Sequence, residues 1–286
     1  MGLLGAVLAA APGFAQAQIL DLVYERTVMT VADRRCGLFT PDVSAALAAA
    51  QAQAHGAARR AGASPDALRS VEDRARVMGT GTDCASQDLA AAAGRVRSAF
   101  AGYARLQRID YPGEKAAWRA DRTGLGSIRW RLAQEARFGP DRMTFGLAGR
   151  QAPGLLIAVA EFADGQTPYS ARLLMRDSAR SEGPYLDGAS TSGQGLPLER
   201  RLPPRSALRS YAAEARSTAG SDLRPKDART GWAFRFPSQA AAELASLDPR
   251  EAVAIEFLFP GDVARRAYVE VGDFAAGRTF VNLASR

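Results

Sequence analysis

Apolar side chains recur every three to four residues up to about residue 106 and at alternate residues from about residue 127. Between these halves lies a stretch carrying Pro112, Gly113, Gly124 and Gly126. The first period buries one stripe of a helix and the second buries one face of a strand. The chain is therefore expected to be α+β: a helical domain over 18–106, a connector over 107–126 and an antiparallel β domain over 127–286.

In the first half, Ile19, Leu22, Val23, Val28 and Val31 follow helical spacing. Thr40-Pro41-Asp42 and Ser64-Pro65-Asp66 each supply an N-cap followed by proline at the first helical position. The alanine-rich run from Val43 to Ala61 propagates until Gly62, and a third helix fades by Gly79-Thr80-Gly81. A fourth, after Cys84, places Leu89, Ala93, Val96, Phe100 and Tyr103 on one face, which makes a bundle of about four helices.

In the second half, "SIRWRLAQEARF" alternates Ile128, Trp130, Leu132, Ala136 and Phe138 with Arg129, Arg131, Glu135 and Arg137. Gly139-Pro140-Asp141 turns it toward Met143, Phe145 and Leu147. Leu155–Ala163 and Tyr169–Asp177 are expected to pair around Asp164-Gly165. Trp232, Phe234 and Phe236 mark a further strand, Ser238–Leu247 one short helix, and Pro260-Gly261-Asp262 a turn between Ala252–Phe259 and Ala267–Val271. Short turns between strands favour a sandwich-like antiparallel domain. The stretch "SALRSYAAEARS" has helical composition in a strand neighbourhood, and Pro184–Ser206 reads as a long loop.

The chain opens "MGLLGAVLAAAPGFAQAQ". A short apolar run, Pro12-Gly13 and then Ala15-Gln16-Ala17 read as a signal peptide over 1–17. No run reaches the roughly 20 apolar residues of a membrane span, so a periplasmic or secreted protein that does not span the membrane is expected. Two cysteines exist, Cys36 and Cys84. Arg34 and Arg35 could lower a thiol pKa, but a nucleophilic cysteine wants a histidine base. The single histidine, His55, sits in the alanine-rich helix and reads as a surface residue. An oxidising compartment and an even count point to a disulfide tying the exit of helix one to the entry of helix four.

The formal charge of +7 invites a polyanion reading, yet 35 of the 37 basic residues are arginines spread as pairs rather than as a patch. No nucleic-acid partner is expected. Neither a phosphate loop, a dinucleotide fingerprint, a nucleophile elbow nor an EF-hand spacing occurs, so neither cofactor nor metal is expected. Lys115 and Lys226 fall in loops, which disfavours a Ser-Lys site. Paired carboxylates remain, since glycoside hydrolysis needs only two. The candidates are Glu161, Glu256 and Glu270, on strands where desolvation could raise a pKa. The mixtures "RWR" at 129–131 and "WAFRF" at 232–236 read as core aromatics beside solvated arginines.

The order "GWAFRFPSQAAAELASLDPREAVAIEFLF", then "AYVEVGDFAAGRTF", is similar to the closing section of bacterial invasion-associated locus B proteins, in which a strand, a short helix, a strand and a last strand ending near Gly-Phe follow one another. Here the last motif is Gly272-Asp273-Phe274, with an extra residue, and cysteines of that family's β domain are absent. The resemblance spans about a sixth of the chain and implies a secreted, non-enzymatic β domain. Three functions follow: a soluble exported protein that binds or supports an envelope protein or polymer, a carboxylate-dependent hydrolase of an envelope polymer, or a polyanion-binding module. Binding is expected on the β domain, with Arg200, Arg201 and Arg205 of the long loop as candidates.

Overall fold

The computed structural model describes residues 12–124, 126–150, 154–181, 183–186 and 195–282. Residues 1–11 of the expected signal segment lie outside the described residues. Four helices come first: α1 (Pro12–Cys36), α2 (Pro41–Arg60), α3 (Pro65–Gly81) and α4 (Gln87–Phe100). Both capping tripeptides start helices, and Ser64 Oγ accepts the Ala67 N–H at 3.1 Å. Gly62, at φ +88°, ends α2 with Ala63 N–H donating back to Ala58 O at 2.9 Å.

The bundle buries little per residue. One small core gathers Val23, Ala54, Ala58, Leu68 and Val71, and another gathers Met29, Ala32, Leu47, Leu89 and Ala93. Cys36 and Cys84 are bonded, with Cα atoms 5.6 Å apart. Arg35, beside that bond, donates to Thr82 O at 2.5 Å and to Thr80 O. It thereby satisfies carbonyls left open at the C-terminal end of α3.

The rest is two antiparallel sheets. The larger runs β1 (Arg108–Tyr111), β2 (Trp118–Asp121), β3 (Arg129–Phe138), β4 (Asp141–Gly149), β5 (Leu155–Glu161), β9 (Trp232–Arg235) and β8 (Ala215–Thr218). The smaller runs β11 (Val263–Glu270), β10 (Ala252–Phe259), β6 (Ser170–Arg176) and β7 (Leu208–Ala212). They share one continuous core in which Phe138, Phe162 and Phe234 of the larger sheet and its exit meet Phe257 of the smaller. Helix α5 (Ser238–Ser246) precedes β10, and α6 (Phe274–Asn282) closes the chain.

Four sequence expectations are amended. The stretch 107–126 is not bare connector, because it holds β1 and β2, and Trp118 there is fully buried with its Nε1–H shared between Val271 O at 2.9 Å and Glu270 O at 3.1 Å. The segments flanking Asp164-Gly165 do not form a hairpin: β5 pairs with β4 and β9, while β6 pairs with β10 and β7. The chain switches sheets at that turn. A bulge between Trp130 and Leu132 breaks the alternation of β3. Leu132 stays in the shared core, whereas Trp130 crosses to the outer face with Val159 and Leu223. Arg131, expected in solvent, is buried and donates to the carbonyls of Thr123, Gly124, Ser127, Gly149 and Arg150. The ambiguous "SALRSYAAEARS" contributes β7 and β8.

Helix α2 lies on α6. A Cβ on Gly56 would stand 2.6 Å from Asp273 Oδ1, so only glycine permits this approach. Two ion pairs cross the junction. Arg60 grips Asp273 with both amino groups at 2.6 and 3.1 Å, and Arg59 donates to Asp248 at 2.7 Å. Burial raises the Asp273 carboxyl and Arg60 only partly offsets it. For Asp248, burial also works upward, but Arg250 and Arg59 outweigh it and hold the carboxyl below its usual range.

Candidate functional site

The three candidate carboxylates stand apart. Glu161 is on the outer face of the larger sheet, held by Arg142 Nε at 3.1 Å and by the Arg229 N–H at 3.1 Å. Glu256 and Glu270 face outward from the smaller sheet. Glu270 lies opposite Ala252, four register positions from Glu256, which is about 13 Å along the strand. Paired carboxylates of glycosidases stand roughly 5–9.5 Å apart.

Each carboxylate is also engaged. Glu270, fully buried, accepts N–H groups of Glu114 at 2.8 Å, Lys115 at 2.7 Å and Ala116 at 3.1 Å. The turn after β1 fits because Gly113 has no Cβ: one there would meet Glu270 Oε2 at 2.6 Å. Glu256 takes Arg266 Nε at 2.8 Å and contacts Arg172 on its other oxygen. Burial works to raise its pKa, but the two guanidiniums prevail and hold it below the usual carboxylate range. A carboxyl kept ionised in this way is a poor general acid.

The long loop is described again from Gly195 and forms a short 3-10 turn at Leu198–Arg201 against β10 and β11. Arg205 is exposed, as expected. Arg200 is exposed too and has interactions of its own. Arg201 departs from expectation: it is only 1 % exposed, donates to Glu114 at 2.7 Å and to Leu196 O at 2.8 Å, and stands 4.0 Å from Glu270. It fastens the loop rather than presenting a charge.

Residues just before Arg201 border a cleft of about 850 Å³ on this face. Its walls are the β3–β4 turn at Phe138–Asp141, Lys115, Leu198-Glu199, and Arg265, Arg266 and Tyr268 of β11. The charges divide into spent and available. Arg265 is occupied by buried Asp141 at 3.1 Å and by Asp164, and lies 4.6 Å over the Phe259 ring. Arg266 and Arg172 share the single carboxylate Glu256. Arg137 is exposed and, among the described residues, carries no hydrogen bond or ion pair of its side chain. Lys115 pairs with Glu114 at 3.4 Å and Glu199 adds a carboxylate to the wall, so the available cation is Arg137, beside an aromatic and a proline surface, a setting for an anionic group with a flat body.

Sequence reasoning missed Lys115, Arg137 and Tyr268 as a group, since nothing local links a turn at 115, a strand end at 137 and a strand at 268. The signal in reach was the pair of turns Gly139-Pro140-Asp141 and Pro260-Gly261-Asp262, whose strands frame the cleft. Among the described residues no cluster of three His, Cys, Asp or Glu side chains is placed to hold a metal ion, and no helix is long and apolar enough to cross a membrane. Compared with family models, curated proteins and solved structures, the chain matches none.

Proposed function

We propose that the protein is exported to the periplasm or beyond and there binds an anionic component of the cell envelope, without catalysing its turnover. The observation that carries this reading is Arg137: an exposed cation without a counter-charge among the described residues, on the rim of an 850 Å³ cleft whose other cations, Lys115, Arg265 and Arg266, are paired with carboxylates and whose wall also holds Tyr268 and Glu199. The disulfide supports an oxidising compartment. The separation of Glu161, Glu256 and Glu270, and their engagement by donors, favours binding over hydrolysis. The family resemblance of the closing section agrees with a secreted β domain. A general polyanion module is less well supported, because the surplus charge is local to the cleft rather than drawn out as a stripe.

Cosedimentation of the purified chain with isolated peptidoglycan sacculi at low salt tests the reading. Retention is expected to fall roughly tenfold in an Arg137→Glu, Lys115→Ala variant, the scale of a charge-assisted contact. Retention equal to that of the unaltered chain would remove the cleft from the mechanism. Fractionation of expressing cells with intact-mass measurement tests export, with a mature chain beginning at Gln18 as the expected result.

A further inference from the structure

The helical part carries a second opening. Helix α1 packs along α2 and α3, whereas α4 rests mainly on α2 and the turn that follows α4. The space between α1 and α4 is a groove of about 480 Å³ whose walls include Tyr24, Val28, Met29, Leu47, Val96 and Phe100. Met78, 52 % exposed, continues this apolar surface at the mouth. Small-molecule sites fall in the same range, about 300–1,000 Å³, with mostly apolar walls and a few polar groups.

The polar groups are Glu25, Arg26 and Arg95. Arg26 is half-buried, spends one amino group on Ala50 O at 2.6 Å, and has no ion pair among the described residues. Burial lowers its pKa, with the neighbouring Glu25 opposing. Arg95 is exposed and likewise has no ion pair among the described residues. A guanidinium partly withdrawn from water and lacking a carboxylate partner calls for an anion. Arg26 is such a group, and the exposed Arg95 stands with it against the one carboxylate of the walls, Glu25, along an apolar channel. The groove is of the size and lining of a small-molecule site, which suits one acyl chain with a charged head.

We propose that this groove binds a single-chain fatty acid, its carboxylate held by Arg26 and Arg95 and its chain lying between α1 and α4. The surface is distinct from the cleft on the β part and does not depend on it.

The test is fluorescence titration of the full chain with dansyl-undecanoic acid, a fatty acid carrying a reporter at its tail. Saturable one-to-one binding is expected, displaced by lauric acid and weakly or not at all by dodecanol. Arg26→Gln with Arg95→Gln should weaken binding roughly tenfold while leaving the circular dichroism melt in place. Ala92→Phe, which fills the groove from α4, should abolish binding. Ala99→Trp at the exposed mouth serves as an independent block should the first variant fail to fold. Undiminished binding in the double-arginine variant, or in a folded blocked variant, would overturn the proposal. A shift from dimer to monomer on blocking the groove, seen by sedimentation, would assign it to a second copy and overturn the proposal equally.

Discussion

The helical and β parts solve the same problem with opposite means. The helices are built from alanine, and their buried sets are small and divided in two. Burial yields roughly 25 cal/mol per Å² of apolar surface, so side chains of one carbon contribute little, and a covalent bond supplies what packing does not. The β part has one continuous core rich in phenylalanine. Its charged groups are buried too, but each is matched: Arg131 by carbonyls, Glu270 by three N–H groups, Arg201 by Glu114. Where packing is thin, a groove stays open between helices. Where packing is dense, ionisable groups are consumed as structure, which is why so few of them are free for chemistry.

Removing the staple should show the largest effect. Closing a loop with a sequence separation of 48 stabilises by about 4 kcal/mol in the chain-entropy view. In a Cys36→Ser, Cys84→Ser variant, the urea midpoint followed by far-ultraviolet circular dichroism should fall sharply. Tryptophan fluorescence reports Trp118, Trp130 and Trp232, all in the β part, and its midpoint should fall less. Coincident shifts of both signals would instead mark the two parts as one cooperative unit.

Next in size is Arg201→Ala, expected to cost about 3 kcal/mol because it strips a counter-charge from a fully buried carboxylate. Arg205→Ala, an exposed change in the same loop, should stay within about 0.5 kcal/mol. Equal melting temperatures for the two variants would contradict the fastening role of Arg201.

At the junction, Asp248→Asn is expected to cost about 2 kcal/mol at neutral pH. The sign with pH follows from the depressed carboxyl. Its contribution is complete above the unfolded value of about 3.9 and is lost as pH falls through the lower folded value. The difference between the two proteins should therefore shrink in urea titrations at pH 3. A deficit that grows on acidification would refute the assignment.

The smallest effect on stability belongs to Arg137→Ala, within about 0.5 kcal/mol, and thermal denaturation checks it. A large loss would mean that Arg137 is structural, which would blur the contrast between matched and available charge.

The sequence disclosed whatever depends on neighbours within a few residues. The Thr-Pro-Asp and Ser-Pro-Asp caps, the change of period and the pairing of two cysteines were all legible, as were β3 through β6 and β9 through β11. What was hidden depends on partners far away. A bulged residue at Arg131 reverses the face of Trp130, and strict alternation cannot show that. β1 and β2 are four residues each in a Pro- and Gly-bearing stretch, and only their place at the sheet edge makes them strands. Arg201 looks like any loop arginine until Glu114, 87 residues earlier, is known to stand beside it. The grouping of Lys115, Arg137 and Tyr268 at the cleft was hidden for the same reason, although the two turns that frame it were legible.

The anchoring of residues 114–116 on Glu270 also sets an order in time. That turn joins the first two strands, yet its fastening group lies more than 150 residues downstream. A chain emerging amino end first can complete its helices early, since their contacts are local and form fast. It cannot secure the first edge of its larger sheet until almost the last strand has appeared. For as long as synthesis lasts, Trp118 and the edge strands wait unsecured. In this molecule a carboxylate at the end of β11 is what makes the beginning of the sheet permanent.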